Sequence, residues 1–440
     1  MIKTLTSAFK NKDIRKKLLY TLMMLVVIRI GSLLPIPGVD TEYFSTLLSG
    51  FNSGDLSYLS AFTGGSFEKM SLFALSITPY ITSSIIMQLL TIAIPKLEEM
   101  QKEGEDGRKK IASITRYVTI ALALIESIAM AVGFGRQGLI KDYKDMSTIH
   151  YVTCIIVVVA ALTAGSAVLM WIGERITEKG VGNGISIVLL INIISGMPSD
   201  FVTLYSTFVA NKSIARGVTV AVIIAAIVIA VVVLVVILQD GERRIPVQYS
   251  QKVAGRKTIG GQATNIPLKV NTAGVMPILF ASSIMQFPVI IVQLFTSNSY
   301  EWTKYLSQSY WCRVQMPKYS IGLLLYIILV VVFAYFYTSI TFNPVQIADN
   351  LKKAGGVVPG ITPGRSTSEY LNKILNYIVF IGAVGLMIVA LIPIMCTGFF
   401  NASVSFGGTS IIIIVGVVLE TMKQIESMMV NRNYRGFLSE

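Results

Sequence analysis

The sequence predicts an all-α, polytopic membrane protein. Of its 440 residues, 53% are hydrophobic and 14% charged, with a mean hydropathy of +0.67. That is too apolar for an ordinary soluble domain. Apolar windows long enough to cross a hydrocarbon core of about 30 Å recur along the whole chain. Backbone in lipid has to satisfy its own hydrogen bonds, so each window is expected to be a helix. Basic residues also crowd alternate connections, as in a chain that repeatedly crosses a bilayer.

Clear spans fall at 18–36, 111–133, 152–173, 217–238, 272–295, 320–342, 372–394 and 409–430, and weaker ones at 64–90 and 184–206, ten in all. The basic start MIKTLTSAFKNKDIRKKLL leads into the first span, and GSLLPIPGVD after it is no small-x-small cleavage site, so that span is expected to stay. An even number of spans puts both termini on one face. Residues 1–17, 96–110, 174–183, 239–271, 343–373 and 420–440 carry 26 Lys and Arg, and the opposite connections carry 9. The first set, termini included, is therefore expected in the cytoplasm. This accounts for the net charge of +13 without invoking nucleic acid.

The second span is unusual. GGSFEKMSLFALSITPYITSSIIMQLL, residues 64–90, holds Glu68 and Lys69 at its start, Pro79 in its middle, and hydroxyls at Ser71, Ser76, Thr78, Thr82, Ser83 and Ser84. Its first part is expected to enter a water-filled funnel as a short half-helix, because irregular or polar chain at membrane depth is tolerated only inside a cavity. Ile77, Ile81 and Ile85 recur at helical spacing and stack along one face. An apolar stripe beside polar residues is what a dewetting constriction needs; periodicity alone equally describes core packing. Gly180, Gly182 and Gly184 break the chain before the fifth span, which opens with Ile185 and Leu189, and the tenth opens similarly with FGGTSIIIIVGVV. Broken helices also build the midplane sites of secondary transporters. Residue patterns alone leave transporter and channel open.

No constellation for catalysis, nucleotide or metal binding is present: the chain lacks G-x-x-x-x-G-K-[ST], has the single histidine His150, and its Cys154, Cys312 and Cys396 show no paired spacing. Glu126 lies deep in a span, which marks a candidate functional position. Gln88 and Asn271 are the polar residues of other spans expected to meet it, and Arg29 is expected to snorkel to the outer surface. Loop 239–271 alternates like a small hairpin, and VVPGITPGRST in the next large loop stiffens a turn.

RIGSLLPIPGVD, LFALSITPYITSSIIMQLL, QKEGEDGRKKIASITRY, GERITEKGVGNGISI, PLKVNTAGVMPILFASSI, FNPVQIADNLKKAGGVVPGITPG and FGGTSIIIIVGVV resemble the SecY family, channel subunits of the bacterial protein translocon, in order along the whole chain. The resemblance implies two pseudo-symmetric five-helix halves around an hourglass pore. The partition it implies is a cytoplasmic start 1–17, a first half 18–206, span six with its preceding loop at 207–238, a loop 239–271, spans seven and eight at 272–342, a loop 343–371, spans nine and ten at 372–430, and a tail 431–440. It implies a pore ring of Ile77, Ile81, Ile185, Leu189, Leu279 and Ile413. A plug is implied at 64–74, including Gly64, Gly65, Ser66, Phe67, Glu68, Lys69, Met70, Ser71 and Leu72. A lateral gate between spans 2–3 and 7–8 would carry Gln88, Glu126 and Asn271. Arg243, Arg244, Arg256, Lys257, Lys352, Lys353 and Arg365 would dock the ribosome and the SecA motor, with SecE and SecG as small membrane subunits.

The function so implied is passage of unfolded secretory polypeptides across the bacterial plasma membrane and lateral release of transmembrane segments, without cofactor or catalysis. A secondary transporter of small solutes is the alternative. Two departures stand out: Thr362 where the family usually has Arg, and Ser76 where many members have Gly.

Overall fold

The computed structural model describes residues 9–50, 63–135, 139–140, 147–206, 214–249, 252–254, 257–259, 263–295, 300–312, 316–400 and 408–437. The apolar windows become helices whose ends are set by local chemistry. Helix α1 (Lys12–Leu33) starts where the Asn11 side chain accepts from the Asp13 N–H. After the short α2 (Thr41–Gly50), α3 (Thr78–Ala93) begins with Pro79 in its first turn, where a missing N–H costs nothing. The proline that looked like a break inside a span is thus a helix start. A bend of 101° leads into α4 (Pro95–Lys102).

Helices α5 (Glu105–Phe134), α6 (Thr148–Lys179), α7 (Gly184–Leu204, capped by Asn183) and α8 (Ile214–Asp240) follow. Beyond the strands come α9 (Met276–Phe295), the short α10 (Thr303–Leu306), α11 (Ile321–Thr341), α12 (Pro344–Lys353), α13 (Arg365–Phe400) and α14 (Gly408–Phe437). Helices α1, α3, α5 to α9, α11, α13 and α14 overlap the ten apolar windows in order. Among the described residues six helices are long and apolar enough to cross a membrane, or seven if the bent α3–α4 pair is one span. The outer face of the bundle stays apolar, with Leu22 and Val26 on α1 and Val222, Ile229 and Val233 on α8 exposed, as a bundle surrounded by lipid requires.

Residues 64–77 do not form the expected half-helix. They run as successive tight turns, the N–H groups of Ser66, Met70, Ala74 and Ser76 reaching the carbonyls of Thr63, Phe67, Ser71 and Phe73. Gly64, Gly65, Met70 and Ser76 all have positive φ, which a right-handed helix cannot contain.

The polar connection after α8 forms the expected hairpin and more. Strand β1 (Glu242–Tyr249) pairs antiparallel with β4 (Ala263–Lys269), with β2 (Lys252–Ala254) and β3 (Lys257–Ile259) between them as a second ladder. Strand β5 (Gly356–Val357), from the next large loop, adds to the free edge of β1. Ile245, Val247 and Leu268 then close a small core with Leu351, Val358, Leu371 and Ile378. The two loops are one folded body, which separate readings of them missed.

Three larger clusters organise the bundle. One joins Phe44, Phe67, Met70, Phe134 and Leu162 in the first half of the chain. A second joins Val235, Ile278, Trp311, Tyr326 and Val389 in the second half. The third draws on both halves and lies where the site is built.

Candidate functional site

Four helices start close together although they are far apart in sequence. Ile77 is the N-cap residue of α3 and Ile81 lies one turn on. Asn183 starts α7 by accepting from the Ile185 N–H, which places Ile185 and Leu189 in the first turns. Leu279 lies in the first turn of α9, and Ile413 early in α14. The side chains of Ile77, Leu189, Leu279 and Ile413 are buried in one apolar cluster with Ile28, Phe73, Ile172 and Val188, and Ile81 and Ile185 pack against it half-buried. The six aliphatic residues therefore converge. Helix α5 also touches α9, so the two halves are in contact.

Beside the cluster, the 64–74 segment is wedged into protein. Ser66, Phe67, Met70 and Ser71 are buried and only Glu68 and Lys69 are exposed. Phe67 meets Phe44 edge-on at 5.9 Å and Phe134 at 6.4 Å. The segment bridges to the chain leaving α1: the Ile36 N–H bonds to the Met70 carbonyl at 3.1 Å and the Leu72 N–H to the Leu34 carbonyl at 2.9 Å. A Cβ on Gly165 of α6 would come within 1.9 Å of the Leu72 oxygen, so only glycine lets the segment lie this close. The small-residue run TAGS in α6 is the sequence signal for this cradle.

Arg29 does not snorkel outward. It is half-buried and donates to the Gly64 carbonyl and the Ser195 hydroxyl.

Among the described residues no hydrogen bond joins the three polar gate candidates. Gln88 on α3 and Glu126 on α5 are both half-buried, and the two helices are joined instead by Ser83 donating to the Thr115 carbonyl at 2.8 Å. Asn271 is not inside a span: it sits in the turn between β4 and α9, in a pocket with Ala334, Thr338, Val379 and Gly382. Its amide Nδ2 has no hydrogen-bond partner. The turn holds Asn271 against α11 and α13.

Of the docking candidates, Arg243 and Arg244 lie exposed on β1, with Arg244 held 2.6 Å from Glu242. Lys352 and Lys353 end α12, where a cation complements the helix dipole. Arg365 opens α13 and pairs with Glu369 at 2.9 Å. Lys257 starts β3. Arg256 lies outside the described residues.

Fold and composition together define a multi-pass membrane protein. The SecY family profile matches residues 71–422. The protein translocase subunit SecY of Streptomyces galbus is 42% identical over 453 residues, and that of Bacillus subtilis strain 168 is 40% identical over 445, each alignment covering 100% of both chains. Among solved structures, one of a protein-conducting channel superposes with a TM-score of 0.59 at 18% identity, covering 94% of this chain and 93% of the other. Sec61 from a canine ribosome–channel complex gives 0.57 at 18% identity, again over 94% and 93%.

The chain belongs to the SecY family. It is a protein-conducting channel subunit of a translocase, and none of these likenesses supports a small-solute transporter.

Proposed function

We propose that unfolded polypeptides pass through the centre of this bundle, that Ile77, Ile81, Ile185, Leu189, Leu279 and Ile413 seal it at rest, and that residues 64–74 plug it. The single observation behind this reading is the convergence of those six side chains from four separate helices on one apolar cluster. A narrow aliphatic collar expels water, so ions meet a dry barrier, whereas a polar collar would stay wet. Branched aliphatic side chains also yield sideways and bond to nothing, so a passing chain of any sequence parts them without forming sites that would hold it.

Gln88, Glu126 and Asn271 are proposed to line the lateral gate through which transmembrane segments leave. Among the described residues no hydrogen bond joins the three, so an arriving apolar segment would have none among them to replace. The exposed basic residues Arg243, Arg244, Lys352, Lys353 and Arg365, with Arg256 and Lys257, would meet ribosomal phosphates or the SecA motor. The energy for threading would then come from a partner, in keeping with the missing nucleotide loop. SecE and SecG would complete the complex, in a bacterial plasma membrane with both termini cytoplasmic.

Conductance of purified complexes in planar bilayers tests the seal. Replacing Ile77, Ile81 and Ile413 together with Ser is expected to open a resting ion leak. Wild-type conductance in that variant would reject the collar.

A further inference from the structure

Segment 64–76 is gripped at both ends by polar contacts. At its start, Arg29 Nη1 donates to the Gly64 carbonyl oxygen at 3.2 Å and to Ser195 Oγ at 3.0 Å. Ser195 Oγ lies 3.3 Å from the same carbonyl and 2.7 Å from the Asn192 carbonyl. A guanidinium within a bundle of membrane helices is costly unless its donors are met, and Arg29 forms no ion pair among the described residues. The site is tight: a Cβ on Gly64 would fall 2.5 Å from Ser195 Oγ and 2.8 Å from the Asn192 oxygen.

At the far end, Asn192 Nδ2 donates to Ser76 Oγ at 2.9 Å, and the Ser166 hydroxyl approaches the Ser76 carbonyl at 3.4 Å. All three side chains are buried. Ser76 holds a φ of +53°, a backbone state that L residues take only when the surroundings enforce it. Asn192 and Ser195 are three residues apart on α7, so one helical face holds both ends of the segment.

We infer that Arg29, Ser195 and Asn192 form a polar latch: positioning residues that hold the plug segment closed and set how readily the channel opens. This rests on the channel reading above. Hydrogen bonds are short-ranged and directional, so a shift of the segment by an ångström or two breaks both grips together, where apolar contact alone would yield gradually. Once the segment leaves, water can reach the Arg29 guanidinium and the Gly64 carbonyl, which limits the cost of the open state. Ser76 adds a side-chain contact that a glycine there could not make.

Arg29→Gln, Arg29→Lys, Ser195→Ala and Ser76→Gly, measured as resting ion conductance in planar bilayers, test the latch. Loss of a hydrogen bond from a charged donor is expected to raise the resting open fraction about 10-fold in R29Q. Arg29→Lys should recover part of the closure, S76G should leak less than R29Q, and S195A added to R29Q should leak less than the two effects combined, since they share the Gly64 carbonyl. If R29Q fails to insert, S195A and S76G are expected to leak by themselves. Wild-type conductance in all inserted latch variants, with a leak from the Ile77, Ile81 and Ile413 serine variant in the same bilayers, would overturn the latch alone. No leak from that serine variant would remove the channel reading as well.

Discussion

Ser83 is fully buried and donates across to the Thr115 carbonyl of the neighbouring helix. Ser71 donates to the Ser66 carbonyl and Thr82 to the Thr78 carbonyl of its own helix. In sequence these hydroxyls read as the border of a wet path, because a hydroxyl facing water and one facing a carbonyl look identical there. A bundle in lipid uses them to satisfy backbone and to join helices. Ser83→Ala is expected to cost about 1 kcal/mol of stability, seen as a lower melting temperature in detergent; an unchanged value would mean the interhelical bond contributes nothing. Gly165→Val should act more strongly. Its side chain would occupy the place of the Leu72 carbonyl, and overpacking costs about 1–3 kcal/mol. Its expected signature is increased protease access to 64–74, absent in wild type.

Helices were the most legible elements, since a long apolar window in a bilayer has few other solutions. Their starts, set by the side chains of Asn11, Asn183 and Asn343, lie outside what apolar windows report, because a cap is a single polar residue beside the window. The 64–77 turns were not legible either, because positive φ at Met70 and Ser76 is imposed by surroundings and leaves no trace in residue type. Nor was the pairing of β5 with β1, since two residues carry no periodicity. That pairing has a consequence for docking. Arg243 and Arg244 on β1 share one folded body with Lys352 and Lys353 on α12. Reversing Arg243 and Arg244 to Glu is expected to weaken ribosome binding and flatten its salt dependence. Identical affinity at every salt concentration would return these arginines to a role in topology alone.

At the scale of the whole molecule, each half has an apolar core of its own, and a third cluster, built from both halves, lies at the junction. The candidate collar residues were named from motif likeness, and their convergence could not be read from any one helix, because each supplies only one or two of them. Spacing within a helix reports which residues share a face; which faces meet is decided by packing between segments hundreds of residues apart. On the proposed reading, the bundle keeps ions out by shape and dryness rather than by charge, and opens by moving helices apart.

Crosslinking tests this centre most directly. With Cys154, Cys312 and Cys396 replaced, a secretory chain stalled in transit is presented to complexes carrying Ile81→Cys or, on the outer face of α8, Ile229→Cys, a position 63% exposed. A covalent adduct with Ile81→Cys and none with Ile229→Cys is the expected result. No adduct at Ile81→Cys, or equal adducts at both, would contradict a path through the aliphatic collar.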